Sequence, residues 1–181
     1  MVTSMNHIIK PIVLMGFMGS GKSTLGSRLA AKLDMPFTDL DRRIESAAGK
    51  TIPEIFGELG ESAFRELESE ALIRVFHEPI QVIAIGGGAP CREDHISLIK
   101  EQSVSVYLKI SVDALFNRLW KQSPGRPLIA GKNPEELKSF IDNLLTTRER
   151  FYCQADIILE SDQITVNQLL TGLTRTGLSV S

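Results

Sequence analysis

Hydrophobic and polar positions along the chain alternate between two periods. Four short apolar runs, at residues 12–15, 81–85, 104–108 and 155–159, are rich in Val, Ile and Leu and too short for helices. Each predicts a buried strand. Residues 35–41, MPFTDLD, predict another short strand, one that ends in two carboxylates. Between the strands, apolar residues recur three or four apart. Leu25, Leu29 and Leu33 mark a helix over 24–33. A short helix follows over 42–48, stopped by Gly49, and a helical turn starts at Ile52 with Pro53 in its first turn, broken by Gly57 and Gly60. Ser62 is placed to cap the next helix, whose apolar face is Phe64, Leu67, Ala71, Leu72 and Val75 and which ends before Pro79. Further helices are predicted over 94–100, from the Ser111 cap to 120, over 135–151 and over 165–174. Residues 121–134 are polar and rich in Gly and Pro, the pattern of a long mobile loop. Strand–helix alternation predicts a parallel sheet covered on both faces: an α/β fold in three layers (α/β/α) on a five-stranded sheet.

Composition narrows the function. A chain of 181 residues with 43% hydrophobic content is expected to be a single domain over 1–181 with a full core. The net charge of −2 gives no electrostatic case for nucleic acid or a membrane surface. No apolar run approaches the ~20 residues of a membrane span. Residues 1–10 carry no secretory h-region and read as a short lead-in. Cys91 and Cys153 have no metal-ligand spacing and fit free thiols in a reduced, cytoplasmic protein. A monomer is expected. His7, His77 and His95 stand isolated and receive no role.

The first predicted strand runs into GFMGSGKS at residues 16–23, which fits G-x-x-x-x-G-K-[ST], and a helix follows. That context is the one a phosphate loop needs. Its glycines let several N–H groups turn towards one anion, and the helix N-terminus adds partial positive charge. Lys22 reaches the β- and γ-phosphates, and the Ser23 hydroxyl can hold Mg²⁺. Many such proteins end a second strand in a metal-holding aspartate. Here the strand over 82–85 ends in glycine, so Asp39 and Asp41 become the candidates. In extended backbone, positions two apart face one side. Two carboxylates there are costly unless a cation or a hydroxyl shares them. No N-K-x-D segment or post-strand D-x-x-G is present, which argues against a guanine-nucleotide switch.

Taken together, GFMGSGKST, Asp39-Leu40-Asp41, Gly60-Glu61 with Phe64-Arg65 and Glu68, Gly86-Gly87-Gly88-Ala89, Arg126-Pro127-Leu128, and Arg148 four before Tyr152 resemble shikimate kinase. The resemblance spans about residues 11–170. It implies ATP-dependent phosphorylation of the 3-hydroxyl of shikimate on a P-loop kinase fold of the nucleoside-monophosphate-kinase class, with an acceptor-binding segment near 41–70 and a lid near 121–134. It also implies residue roles. Lys22 and the amides of Gly19, Ser20, Gly21, Lys22, Ser23 and Thr24 bind phosphate. Ser23 binds Mg²⁺ directly and Asp39 through water. Asp41 meets the shikimate hydroxyls and is a candidate proton acceptor. Arg65 and Arg148 meet the carboxylate, with Gly87 against the substrate and Glu68 orienting Arg65. Arg126 is the lid arginine, and Gln163 resembles a position near adenine.

Two positions depart from the family pattern. The run before Arg126 lacks the usual basic residues and is one residue longer, so Arg118, Trp120 and Gln163 all stay open as adenine contacts. Arg150 stands where a proline is common. Two rival functions remain: a kinase for another small acceptor, such as gluconate or a nucleoside monophosphate, and a nucleotide-binding module that transfers nothing.

Overall fold

The computed structural model describes residues 9–121, 129 and 131–176. Among them, five strands form one parallel sheet in the order β2–β3–β1–β4–β5. The strands are β1 (Ile12–Met15), β2 (Phe37–Asp39), β3 (Val82–Ala84), β4 (Val104–Lys109) and β5 (Ile157–Glu160). The helices are α1 (Lys22–Leu33), α2 (Leu40–Ala48), α3 (Ile52–Glu58), α4 (Gly60–Val75), α5 (Glu93–Gln102), α6 (Val112–Trp120), α7 (Pro134–Tyr152) and α8 (Val166–Arg175). The three-layer α/β architecture expected from the pattern is present.

β1 lies at the centre, paired with β3 on one side and β4 on the other. Its four residues are fully buried, which is why it reads as an unbroken apolar run. Alternate side chains feed opposite cores. Ile12 and Leu14 join Leu25, Leu29, Leu119, Ile141 and Leu173 on one face, while Val13 and Met15 join Leu40, Ile44, Phe64, Leu72 and Ile96 on the other. Each such burial contributes about 1.5–3 kcal/mol. Helix α7 serves both cores, through Leu137 and Ile141 near its start and Phe151 and Tyr152 at its end.

Three local expectations are corrected. The second strand stops at Asp39, and Asp41 lies in the first turn of α2. Asp39 acts as N-cap and accepts from the Arg42 amide at 3.3 Å, so the chain turns helical before the second carboxylate. Ser62 caps nothing. Leu59 closes α3 by donating its amide to Ile55, and Gly60, at φ 83°, redirects the chain at once into α4. Gly57 lies within α3 and does not break it. The Thr51, Ser111, Asn133 and Thr165 caps each accept an amide from the first turn of the helix that follows.

Candidate active site

The phosphate loop links the end of β1 to the start of α1. Gly21 is the N-cap of α1 at φ 95°, and Gly16 and Gly19 also take positive φ, a curvature that residues with a Cβ resist. Lys22 Nζ donates to the Gly16 and Phe17 carbonyls, each at 2.9 Å, and lies 3.5 Å from Ser20 Oγ. The ammonium is therefore held over its own loop. Ser20 is buried, and its amide donates to Phe17 O at 3.1 Å, so that amide is turned into the loop. A cleft of about 310 Å³ opens beside the loop, lined by Gly19, Gly21, Lys22, Ser23, Thr24, Asp39, Asp41 and Gly87, with Met18, Ala84 and Ile85. The structure thus brings together most of the residues that the sequence singled out.

Asp39 and Asp41 reach this cleft from a strand end and a helix turn, not from one extended segment. Burial pushes the Asp41 carboxyl up to about 6; Lys22 opposes the shift, while Asp39, Glu68 and Glu45 add to it. A carboxyl poised near neutrality can exchange a proton with a bound hydroxyl. Ser23 and Asp39 face the same cleft, and no cluster of three acidic, Cys or His ligands exists among the described residues. That donor set fits Mg²⁺, which keeps most of its waters and takes one or two protein oxygens plus phosphate.

The turn after β3 packs beside the loop. Gly86 and Gly88 are each the seat of a side chain, and Gly87 lies against the phosphate-loop backbone. A Cβ on Gly86 would stand 2.6 Å from Asp41 Oδ1 and one on Gly88 2.8 Å from Arg65 Nη1; one on Gly87 would press on the Gly16 carbonyl and the Met18 amide at 3.3 Å, with Arg148 Nη1 beside it at 3.4 Å. All three residues have ordinary backbone angles, so the need is for space. Arg65 is fixed in turn. It donates to Glu68 at 2.8 Å and to Glu61 at 3.0 Å, with Glu68 almost fully buried. Arg148 lies over the Phe17 ring, 5.9 Å from its centroid.

Arg118 donates to the Gly19 carbonyl at 3.0 Å and also to the Asp162 carbonyl, so it bridges the phosphate loop and the segment after β5. Gln163 is exposed in that same segment. Trp120 is 42% exposed and stacks on Phe116 at 6.0 Å. Its position two residues on from Arg118 turns it to a different side of α6. Arg126 lies outside the described residues, as does most of the expected lid over 121–134.

The sequence profile of the shikimate kinase family matches residues 18–176. The chain belongs to the shikimate kinase family. The shikimate kinase of Bacteroides thetaiotaomicron is 43% identical over 153 residues, 84% of this chain and 87% of that one. A crystal structure of shikimate kinase from that organism superimposes with a TM-score of 0.85 at 39% identity, covering 92% of this chain and 97% of the other. The Acinetobacter baumannii shikimate kinase, solved in complex with shikimate, gives a TM-score of 0.83 at 32% identity, with 93% of each chain covered.

Two residues of this shikimate kinase chain carry more than sequence reasoning assigned them. Tyr152 is fully buried and donates its hydroxyl to the Gly87 carbonyl at 2.5 Å. Its spacing four after Arg148, one helical turn, was the available signal. His95, which received no role, is buried between the Ala89 carbonyl, 2.7 Å from Nδ1, and Ser69 Oγ, 2.8 Å from Nε2. It ties the glycine turn to the helix that carries Arg65. No linear pattern announces a contact across 26 positions.

Proposed function

We propose that this member of the shikimate kinase family transfers the γ-phosphoryl group of ATP to the 3-hydroxyl of shikimate, giving shikimate 3-phosphate and ADP for aromatic amino acid biosynthesis. The observation that carries the reading is the glycine turn after β3, where Asp41 sits on Gly86, Arg65 on Gly88 and Arg148 beside Gly87, next to the phosphate loop. A small acid with ring hydroxyls needs this combination: arginine forks for its carboxylate and a carboxylate for its hydroxyl. Lys22 and the loop amides hold the β- and γ-phosphates. Ser23, and Asp39 through water, would hold Mg²⁺, which neutralises phosphate charge when bound. Arg65 and Arg148 orient the acceptor. Asp41 takes the hydroxyl proton as the oxygen attacks phosphorus and ADP departs. Arg126 closes over the nucleotide from the lid over 121–134, and Gln163 and Arg118 border the adenine. Such positioning and charge neutralisation make up most of phosphoryl-transfer catalysis.

The same reading takes 1–181 as one kinase domain, with 41–70 as its acceptor-binding segment. It acts as a monomer in the cytoplasm on small-molecule partners, without nucleic acid or membrane. Support comes from the net charge of −2 and the two free cysteines. No helix among the described residues is long and apolar enough to cross a membrane.

A coupled ADP-release assay across shikimate, quinate, gluconate and nucleoside monophosphates tests the function. Shikimate should be the substrate turned over, and Lys22→Met should abolish turnover. Turnover of gluconate or a nucleotide in place of shikimate overturns the assignment.

A further inference from the structure

We propose that Tyr152 is a positioning residue for the acceptor, acting through the Gly87 peptide and the Arg148 guanidinium; this rests on the reading above that Arg148 and the glycine turn hold shikimate. Tyr152 ends α7 one turn after Arg148, with its ring packed on Tyr107 of β4 at 5.0 Å. Its hydroxyl donates to Gly87 O at 2.5 Å, and the positive charge of Arg148 acts on the phenol electrostatically.

The donor roles are forced. A guanidinium has only donors and a carbonyl only lone pairs, whereas a phenol has one proton and an oxygen that can accept. The Tyr152 O–H therefore goes to Gly87 O, which leaves the oxygen's lone pairs to meet the positive field of Arg148. Burial pushes the phenol's pKa far above its ordinary value, so the hydroxyl stays a donor throughout the working pH range. The Cys91 thiol adds a weaker contact to the same carbonyl at 3.5 Å. Gly87 O is thus held against Tyr152 and Cys91, while Gly87 itself lines the cleft. One hydroxyl sets two things at once: the tilt of the peptide on which the acceptor lies, and the aim of the arginine that reads its charge.

Tyr152→Phe keeps the ring and its packing on Tyr107 and deletes the linking oxygen. The expected result is a KM for shikimate raised about tenfold, as for a buried donor or acceptor left short of a partner. kcat should fall by less than about threefold and KM for ATP should hold within about twofold, because the phosphate loop is untouched. In an Arg148→Ala background the same substitution should cost much less, since half of its task is gone. A tyrosine that serves only the core would lower Tm with the KM for shikimate unchanged, and that result overturns the proposal. A full tenfold effect in the Arg148→Ala background overturns it too, because the two residues would then act independently. Arg148→Ala alone serves as the control. If it leaves shikimate binding intact, the acceptor-site reading fails and the proposal falls with it. If it weakens shikimate while Tyr152→Phe does not, only the role of Tyr152 is lost.

Discussion

At the scale of single residues, Asp41 carries a conflict between stability and chemistry. Its carboxyl is raised from 3.8 to about 6, chiefly by burial. Between those values the folded state holds a proton that the unfolded chain has released. The group therefore favours folding most at low pH, and that contribution is lost as the pH rises through about 6. A shift of this size corresponds to roughly 3 kcal/mol of destabilisation at pH 7.5. As the proposed proton acceptor, Asp41 must be ionised to work. Asp41→Asn should make the ligand-free protein about 1–3 kcal/mol more stable at pH 7.5, a gain that vanishes near pH 4, while turnover collapses. Denaturant titration at the two pH values measures the first, and the ADP-release assay the second. The wild-type kcat/KM should fall on the acid side below about pH 6. A variant less stable than wild type at pH 7.5 would show that burial does not strain this carboxylate. Arg65 and Glu68 teach a related lesson. Three positions apart on a helix, they could form an ordinary surface pair. Instead Glu68 is 1% exposed, and Arg65 is clamped between it and Glu61.

At the scale of elements, α6 presents two functional sides. Arg118 reaches the phosphate loop and the segment after β5, Leu119 fills the space beneath Gly19, and Trp120 stacks outward on Phe116. An indole so placed should report unfolding and not adenine. Saturating ADP is expected to leave the Trp120 emission unchanged in a sample that calorimetry shows to bind it. A quench by ADP alone would move the adenine onto the indole and away from Arg118. The phosphate loop and the elements around it were legible from periodicity and motif, because local backbone chemistry dictates them, whereas Arg65, Gly87 and Arg148 stood out only through the family resemblance. Asp41 was assigned an extended backbone because the N-cap role of Asp39 competes with strand continuation, and a two-residue pattern does not distinguish them. Tyr152 and His95 were illegible in role for another reason. Their hydrogen-bond partners lie 65 and 26 positions away, where only the packed fold decides.

At the scale of the whole molecule, the proposed function seats nucleotide and acceptor on different turns of one cleft, the nucleotide on the turn after β1 and the acceptor on the turn after β3. Each ligand should therefore stabilise the protein without the other. At about 100 times its Kd, each is expected to add roughly 2.7 kcal/mol, and the two gains should sum to within about 0.5 kcal/mol. Thermal melts with ADP, with shikimate and with both measure this. No shift with shikimate alone would mean that the acceptor wall forms only once nucleotide is bound.

The central place of β1 sets an order of events while the chain is being made. The phosphate loop leaves the ribosome before the strands that flank β1, which begin at Val82 and Val104, and well before Tyr152, whose hydroxyl pins Gly87. At a synthesis rate of about 5–20 residues per second, the 136 residues from Gly16 to Tyr152 (152 − 16) take roughly 7–27 s. Until that interval ends, the Gly87 carbonyl waits for the hydroxyl that pins it. Arg148 is made in the same last moments, so on the proposed reading shikimate cannot guide the folding of the segments that precede it.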